Sequence, residues 1–371
     1  MASERHPIPF ESIRIREVEG RYFPPDLLAS LLEKYLPPEN YAPAGLSVQG
    51  RPIYRVRMGT GPVRILMWSQ MHGNESTTTK AVMDLMRYLL SGPGRDSGVL
   101  THLELCLIPM LNPDGALAYT RVNANQVDLN RDAADQTQPE SRLLREVFED
   151  FRPDFCFNLH DQRSIYGVGD TPVSATLSFL APAADARRSI TPSRDTAMRL
   201  IAGLHGYLEP ELPGGIGRYD DTFNANCVGD QFQSAGVPTL LFEAGHYRGD
   251  YGREATRRFA FLALLQALRL IASKGYGNFS PAQYAAIPEN RKSFADLLIR
   301  QPVWLHRRFK GQDTLALHYE EELRNGVIHL QPSVPEAGLT EAVFGHAYYD
   351  ASLPEDRERL MAQAALAKLF L

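Results

Sequence analysis

Apolar and polar positions along the chain fall into blocks, and each block has its own period. The run "VRILMWSQM" is continuous, apolar and of strand length, which predicts a buried strand over 63–70. The next segment, "STTTKAVMDLMRYLL", sets Val82, Leu85, Met86 and Leu89 at helical spacing and predicts a helix over 76–91. The same succession recurs downstream. "LELCLIPML" (103–111) reads as a strand and "PESRLLREVFEDF" (139–151) as a helix opened by Pro139 and Glu140. "DFCFNLH" (154–160), "TLSFLAP" and "VPTLLFEAG" (237–245) read as strands; "RDTAMRLIAGLHGYL" and residues 253–273 read as helices. Upstream, "PPDLLASLLEKYL" predicts a helix and "SVQGRPIYRVRMGTG" a hairpin or edge strands. "SGPGRDSG" reads as a loop, "NPDG" as a turn, and residues 121–138 and 209–236 as polar, loop-rich connections. Strands alternating with helices predict an α/β fold, a mixed, mostly parallel central sheet flanked by helices.

The pattern changes after "KGYGNFSP". Residues 276–371 hold short strand-like pieces, "DTLALHY" and "GVIHLQP", and a charged closing helix, "PEDRERLMAQAALAKLF". They are expected to form a small α+β C-terminal domain with no recognisable chemistry of its own. Residues 1–275, with a lead-in over 1–45, are expected to form the main domain. A chain of 371 residues, 44% hydrophobic and 22% charged, is ample for such a core. A net charge of −5 gives no reason to expect nucleic acid or an anionic membrane surface. No apolar run nears spanning length, and the N-terminus shows no apolar signal core, so a cytoplasmic location is expected. Cys106, Cys156 and Cys227 are too few for a disulfide framework and read as buried free thiols.

Candidate chemistry gathers at strand ends. His72 and Glu75 follow the first strand and precede a helix, where open α/β sheets place binding groups. They are either a polar turn that caps the helix or two ligands of one metal. A catalytic zinc site takes three protein ligands and leaves one position open. His160, ending its own strand, is the best third ligand; read alone, it is equally a strand-end histidine bonded to backbone. The stretch "TRVNANQVDLNRD" (120–132) is too polar for a core element and offers Arg121, Asp128, Asn130 and Arg131. Its arginines are either a solvated surface or forks for a carboxylate and a developing oxyanion. Glu243, near the end of "VPTLLFEAG", is partly desolvated there, which raises a carboxyl pKa toward the range useful for a general base. A strand-end carboxylate paired with an arginine is the alternative.

In order, HGNE, NPDG, Arg121 within "RVNANQVDLNR", "NLH" and "FEAG" resemble the zinc carboxypeptidase family over roughly residues 45–272. H-E-x-x-H, a nucleophile elbow and a Walker loop are absent. The resemblance implies one Zn²⁺ per chain held by His72, Glu75 and His160, with Asp128 orienting the first histidine. It implies that Arg121 polarises the scissile carbonyl and stabilises the oxyanion, that Asn130 and Arg131 hold a terminal carboxylate, and that Glu243 is the general base. Tyr219, 24 residues before Glu243, stands where digestive members carry a mobile tyrosine. Asp230, on the loop that bears the family's specificity residue, would favour a basic group if it lines that pocket; a loop-capping aspartate is the alternative. Asp161, Gln162 and Arg163 replace the small polar residues of the digestive enzymes, so a different substrate is expected. His246 reads as structural.

The implied substrate is a peptide or acyl-amino acid with a free carboxylate. A metallocarboxypeptidase acting on peptides is the first reading. The segment around Arg121 also resembles that of murein-peptide amidases. A deacylase like succinylglutamate desuccinylase or aspartoacylase is a further alternative, which "NPDG" modestly disfavours. A binding module without turnover would more often lack Glu243 or a metal ligand, and every such position is filled here.

Overall fold

The computed structural model describes residues 10–334 and 344–370. The first nine residues of the N-terminal stretch read above for a signal, and residues 335–343 of the C-terminal part, lie outside the described residues. Among the described residues fourteen strands form, in chain order: β1 (Tyr41–Leu46), β2 (Pro52–Met58), β3 (Val63–Ser69), β4 (Leu103–Ile108), β5 (Phe155–Asp161), β6 (Tyr166–Val168), β7 (Leu177–Leu180), β8 (Ile216–Arg218), β9 (Thr239–Ala244), β10 (Asn290–Lys292), β11 (Phe294–Arg300), β12 (Thr314–Arg324), β13 (Val327–Ser333) and β14 (Phe344–Asp350).

Eight of them make the main sheet, in the order β1-β2-β4-β3-β5-β9-β7-β8. The ladders β4–β3, β3–β5, β5–β9 and β7–β8 are parallel; β1–β2, β2–β4 and β9–β7 are antiparallel. The sheet is therefore mixed with a parallel centre, as the strand–helix succession predicts. Its central strands are apolar without alternation because both faces are covered. Ile65 and Met67 of β3 join the core under the helices Thr77–Leu90, Pro192–Leu208 and Glu254–Ala272. Leu66 and Trp68 join a second core under the helices Pro139–Phe151 and Val228–Ser234. Parallel β3, β5 and β9 end at one edge, at Ser69, Asp161 and Ala244, and that edge carries the chemistry.

A fully buried ion pair clamps the first face. Arg257 donates to both carboxylate oxygens of Asp84, at 2.6 and 2.7 Å, while Asp84 also accepts from the Ile15 amide. The pair ties the N-terminal segment to two core helices.

Local chemistry overrides several expectations. "NPDG" is not an isolated turn: Asn112 caps the helix Pro113–Ala118, with Pro113 in its first turn, where the missing N–H costs nothing. "SGPGRDSG" contains a short helix, Gly92–Asp96, capped by the Ser91 hydroxyl. The 209–236 connection holds β8 and the helix Val228–Ser234. The closing helix is two, Pro354–Met361 and Ala364–Phe370.

After the long helix, the chain first returns to the main body. Tyr284 is buried in its core, and β10 pairs with β6. From Phe294 onward, β13-β12-β11-β14 form a separate four-stranded sheet with its own apolar cluster, including Ile299, Leu317, Leu360 and Phe370. That sheet docks back onto the main body. Tyr251 donates to Asp296 (2.7 Å), and His346 Nε2 lies 2.8 Å from the Ser164 carbonyl oxygen. Among the described residues, no helix is long and apolar enough to cross a membrane.

Candidate metal centre and active site

The turn after β3 is built by close backbone approach. A Cβ on Gly73 would fall 1.9 Å from the carbonyl carbon of Gly115, so only glycine lets HGNE meet NPDG. Asn112 holds the two together, donating to the Met71 carbonyl (3.1 Å) while its own oxygen caps Gly115. The helix Thr77–Leu90 then starts without a side-chain cap from Ser76. The Asp161 carboxylate takes over, accepting from the amides of Thr77 (2.8 Å) and Thr78 (3.2 Å). The metal turn is thus pinned on both sides.

His72, Glu75 and His160 converge there, with His72 and His160 each only 2% exposed. His72 Nδ1 lies 2.9 Å from one Glu75 oxygen and His160 Nδ1 lies 2.9 Å from the other. The two Nδ1 atoms are 3.2 Å apart. Tetrahedral zinc with bonds of 2.0–2.1 Å needs donors about 3.3–3.4 Å from one another, so the donor set fits the ion in type and spacing. Among the described residues, these three form the group whose donor atoms could hold a metal.

Asp128 stands behind His72. Its Oδ1 is 3.0 Å from His72 Nε2, which as N–H donor to it leaves the Nδ1 lone pair for a metal shared with Glu75 and His160. Burial works to raise the Asp128 pKa, but the His72 hydrogen bond prevails and holds it well below the usual range. Glu75 behaves alike: burial opposes ionisation, and the two histidines overcome it. Arg121, 48% exposed at its side chain, donates from Nε to Asp128 (3.0 Å) and from Nη1 to Glu75 (3.2 Å). It flanks the metal group at the cavity wall.

Glu243 is buried, and among the described residues its Oε2 has no hydrogen-bond partner. Burial, then the nearby Glu75 and Asp161 carboxylates, push its pKa well above the usual range. Arg253, also buried, staples the two strands that carry His160 and Glu243. It donates to the Ala244 carbonyl (2.6 Å) and to the Gln162 carbonyl (2.8 Å).

One cavity of about 1310 Å³ is lined by the metal group, Glu243, Arg121, Asn130, Arg131, Tyr219 and Asp230. Asn130 uses its side-chain oxygen to accept from the Val228 amide (3.1 Å), which leaves its NH₂ for the cavity. Arg131 donates to the Asn130 carbonyl (2.7 Å) and to Cys227 Sγ (3.0 Å) and, among the described residues, makes no ion pair. Tyr219 OH is 2.9 Å from Tyr166 OH. Burial, then Glu243, push the Tyr219 phenol upward. Burial pushes the Asp230 carboxyl up to about 7.

Sequence reasoning left several neighbours without a part. Cys227 is not a buried thiol like Cys106 and Cys156; it is half-buried and bonded to Arg131. Arg253 and Arg21 carry no local signal in the sequence. Asp161 does, in standing directly after the strand-end histidine. Gln162, noted only as a departure, donates to the Ala175 carbonyl and to Ser178 Oγ (both 2.9 Å). His246 lies outside the metal group, its ring centroid 4.1 Å from that of His346 with the planes tilted by 47°. Burial drives its pKa down to about 2.

Residues 32–207 match the profile described as "Zinc carboxypeptidase". Over that stretch, just under half of the chain, it is similar to the zinc carboxypeptidase family. It is 25% identical over 99 residues to "Probable carboxypeptidase 2" of Arthroderma benhamiae, covering 27% of this chain and 19% of that protein. It is 28% identical over 135 residues to "Carboxypeptidase SOL1" of Arabidopsis thaliana, covering 31% of this chain and 28% of that protein. The match thus spans about a fifth to a quarter of the curated relatives' length. Solved structures share the fold. The Burkholderia cenocepacia metallo-carboxypeptidase superposes with a TM-score of 0.53 and 17% identity over 69% of this chain and 70% of that one. The Pseudomonas aeruginosa metallo-carboxypeptidase, in complex with (2-guanidinoethylmercapto)succinic acid, gives 0.53 and 19% over 67% and 69%. The matched family description names zinc, a metal that suits the donors His72, Glu75 and His160.

Proposed function

We propose that this chain is a zinc metallocarboxypeptidase that removes the last residue of a peptide with a free carboxylate. One observation carries the reading: an arginine without a carboxylate partner, Arg131, shares a cavity with the metal group and with the unpartnered carboxyl of Glu243. A substrate carboxylate would complete Arg131, with the Asn130 NH₂ beside it. That anchors the C-terminal residue and leaves the preceding amide near the metal group.

Zinc bound by His72, Glu75 and His160 supplies Lewis acidity. Glu243 takes the proton from the attacking water and returns it to the leaving amine. Arg121 has to swing from Glu75 and Asp128 toward the carbonyl oxygen as negative charge develops there. Tyr219 contributes a phenol to the cavity lining. Asp230 favours a basic side chain on the departing residue.

The cavity's size speaks for a peptide. At about 1310 Å³ it exceeds the roughly 300–1,000 Å³ of small-molecule sites, more than an acyl-amino acid needs. The test is hydrolysis by the zinc-loaded protein of free-acid peptides, their C-terminal amides and acyl-amino acids. Release of the last residue from free-acid peptides alone is expected. Turnover confined to acyl-amino acids would move the chain to deacylase chemistry, and equal cleavage of amides would remove the carboxylate anchor.

A further inference from the structure

We propose that Glu321, on the C-terminal sheet, is a positioning residue that sets Arg121 for catalysis, so that residues 294–333 are part of the active site. This rests on the carboxypeptidase reading above. The cavity that holds the metal group continues onto the C-terminal sheet, where Asp296, Tyr319, Glu320 and Glu321 line it. Of these, Glu321 reaches back into the main body at two points. It pairs with Arg21 at 2.8 Å and accepts from the Tyr119 hydroxyl.

Each contact leads to one arm of the site. Tyr119 terminates the helix Pro113–Ala118 with φ +56°, a left-handed conformation that a bulky side chain rarely adopts. Something outside the local chain must hold it there. Its buried ring edges against Tyr22 at 6.2 Å, and its hydroxyl ends on Glu321. Arg121 follows two residues later, so the direction in which the chain leaves Tyr119 sets where the guanidinium can reach. On the other arm, the Arg21 carbonyl accepts from the Ser76 hydroxyl (2.5 Å), next to the ligand Glu75. Arg21 is nearly buried and shares its surroundings with the second buried cation, Arg253. Without Glu321 the two arginines face each other with less compensation, and the Arg121 loop loses its outer anchor.

Glu321 is not what docks the sheet. Asp296 to Tyr251, His346 to Ser164 and the Phe294 amide to the Ile165 carbonyl (3.1 Å) are independent ties. The main-body contacts therefore survive Glu321→Ala, which makes a test on the full chain practicable.

The test is a double-mutant cycle between Glu321→Ala and Arg121→Ala on the zinc-loaded full chain, read as kcat and KM on a free-acid peptide. Amide hydrogen exchange over residues 116–127 is followed in parallel. In the wild-type background Glu321→Ala is expected to lower kcat about tenfold, since misplacing a group by 1 Å costs up to about 10²-fold. KM should change little. In the Arg121→Ala background the same substitution should cost almost nothing further, because its effect runs through Arg121. Exchange over 116–127 should quicken, and Glu321→Gln, which keeps an acceptor for Tyr119, should restore part of kcat. An active wild type in which Glu321→Ala costs the same fold in both backgrounds, or leaves exchange over 116–127 unchanged, overturns the assignment and leaves the carboxypeptidase reading standing. A wild type inert toward every peptide overturns that reading and the assignment with it.

Discussion

His160 and Glu243 are direct register partners across the parallel β5–β9 ladder. A metal ligand and the candidate base are thus one strand spacing apart, about 4.8 Å. Neither depends on a flexible loop for its place, and Arg253 ties the ends of both strands. That rigidity is what a proton transfer beside a metal requires.

Glu243→Gln keeps size and burial and removes the base. Hydrolysis should fall to background while zinc stays bound, since Glu243 is outside the donor group. Metal analysis beside activity checks this. Zinc lost together with activity would make Glu243 a ligand.

Arg121→Ala removes the donor proposed for the oxyanion. It should lower kcat by about 10²–10³, the usual cost of losing one such donor. Steady-state kinetics on a free-acid peptide decide it, and a near-normal kcat rejects the role.

Arg131→Ala should act on binding. KM for free-acid peptides should rise while kcat changes little, and amidated peptides should be unaffected. An equal loss on both substrates takes Arg131 out of the carboxylate anchor.

Asp230 titrates near the working range, with its carboxyl pushed up to about 7 by burial. It is neutral below that pH and charged above it. The preference for C-terminal lysine over leucine, read as a ratio of kcat/KM, should therefore grow as pH rises through about 7. Asp230→Asn should flatten the profile. A pH-independent ratio in the unsubstituted protein would show that Asp230 does not contact the side chain.

Asp84→Ala takes from buried Arg257 its fully buried carboxylate partner and leaves it the partly exposed Glu254 at 3.0 Å. Stability should fall by about 3–5 kcal/mol, the usual cost of breaking a buried pair. Denaturant unfolding checks it, and a loss under about 1 kcal/mol contradicts the clamp.

The central strands were legible because burial on both faces makes them unbroken apolar runs, as in β3 and β9. The ligand pair could be found for a related reason: two polar, metal-competent side chains interrupt the pattern where such a run ends. Asp128 entered only through the family resemblance, since nothing local ties it to His72 across 56 residues. The helix Val228–Ser234 escaped because Gly229, Asp230 and Gln231 weaken its apolar period, and its cap is the distant Asn130 oxygen. Arg253, Arg21 and Glu321 were invisible for the same reason on a larger scale. Their partners are carbonyls and side chains brought near only by the fold, and Glu321 lies 202 residues from Tyr119 and 300 from Arg21.

The most direct measurement is the zinc content of the purified chain after dialysis against buffered free zinc, with His160→Ala treated alike. The account predicts one zinc per chain in the unsubstituted protein and loss of that zinc in His160→Ala. No zinc in the first, or an equal amount in both, would contradict the metal centre on which the catalytic reading stands.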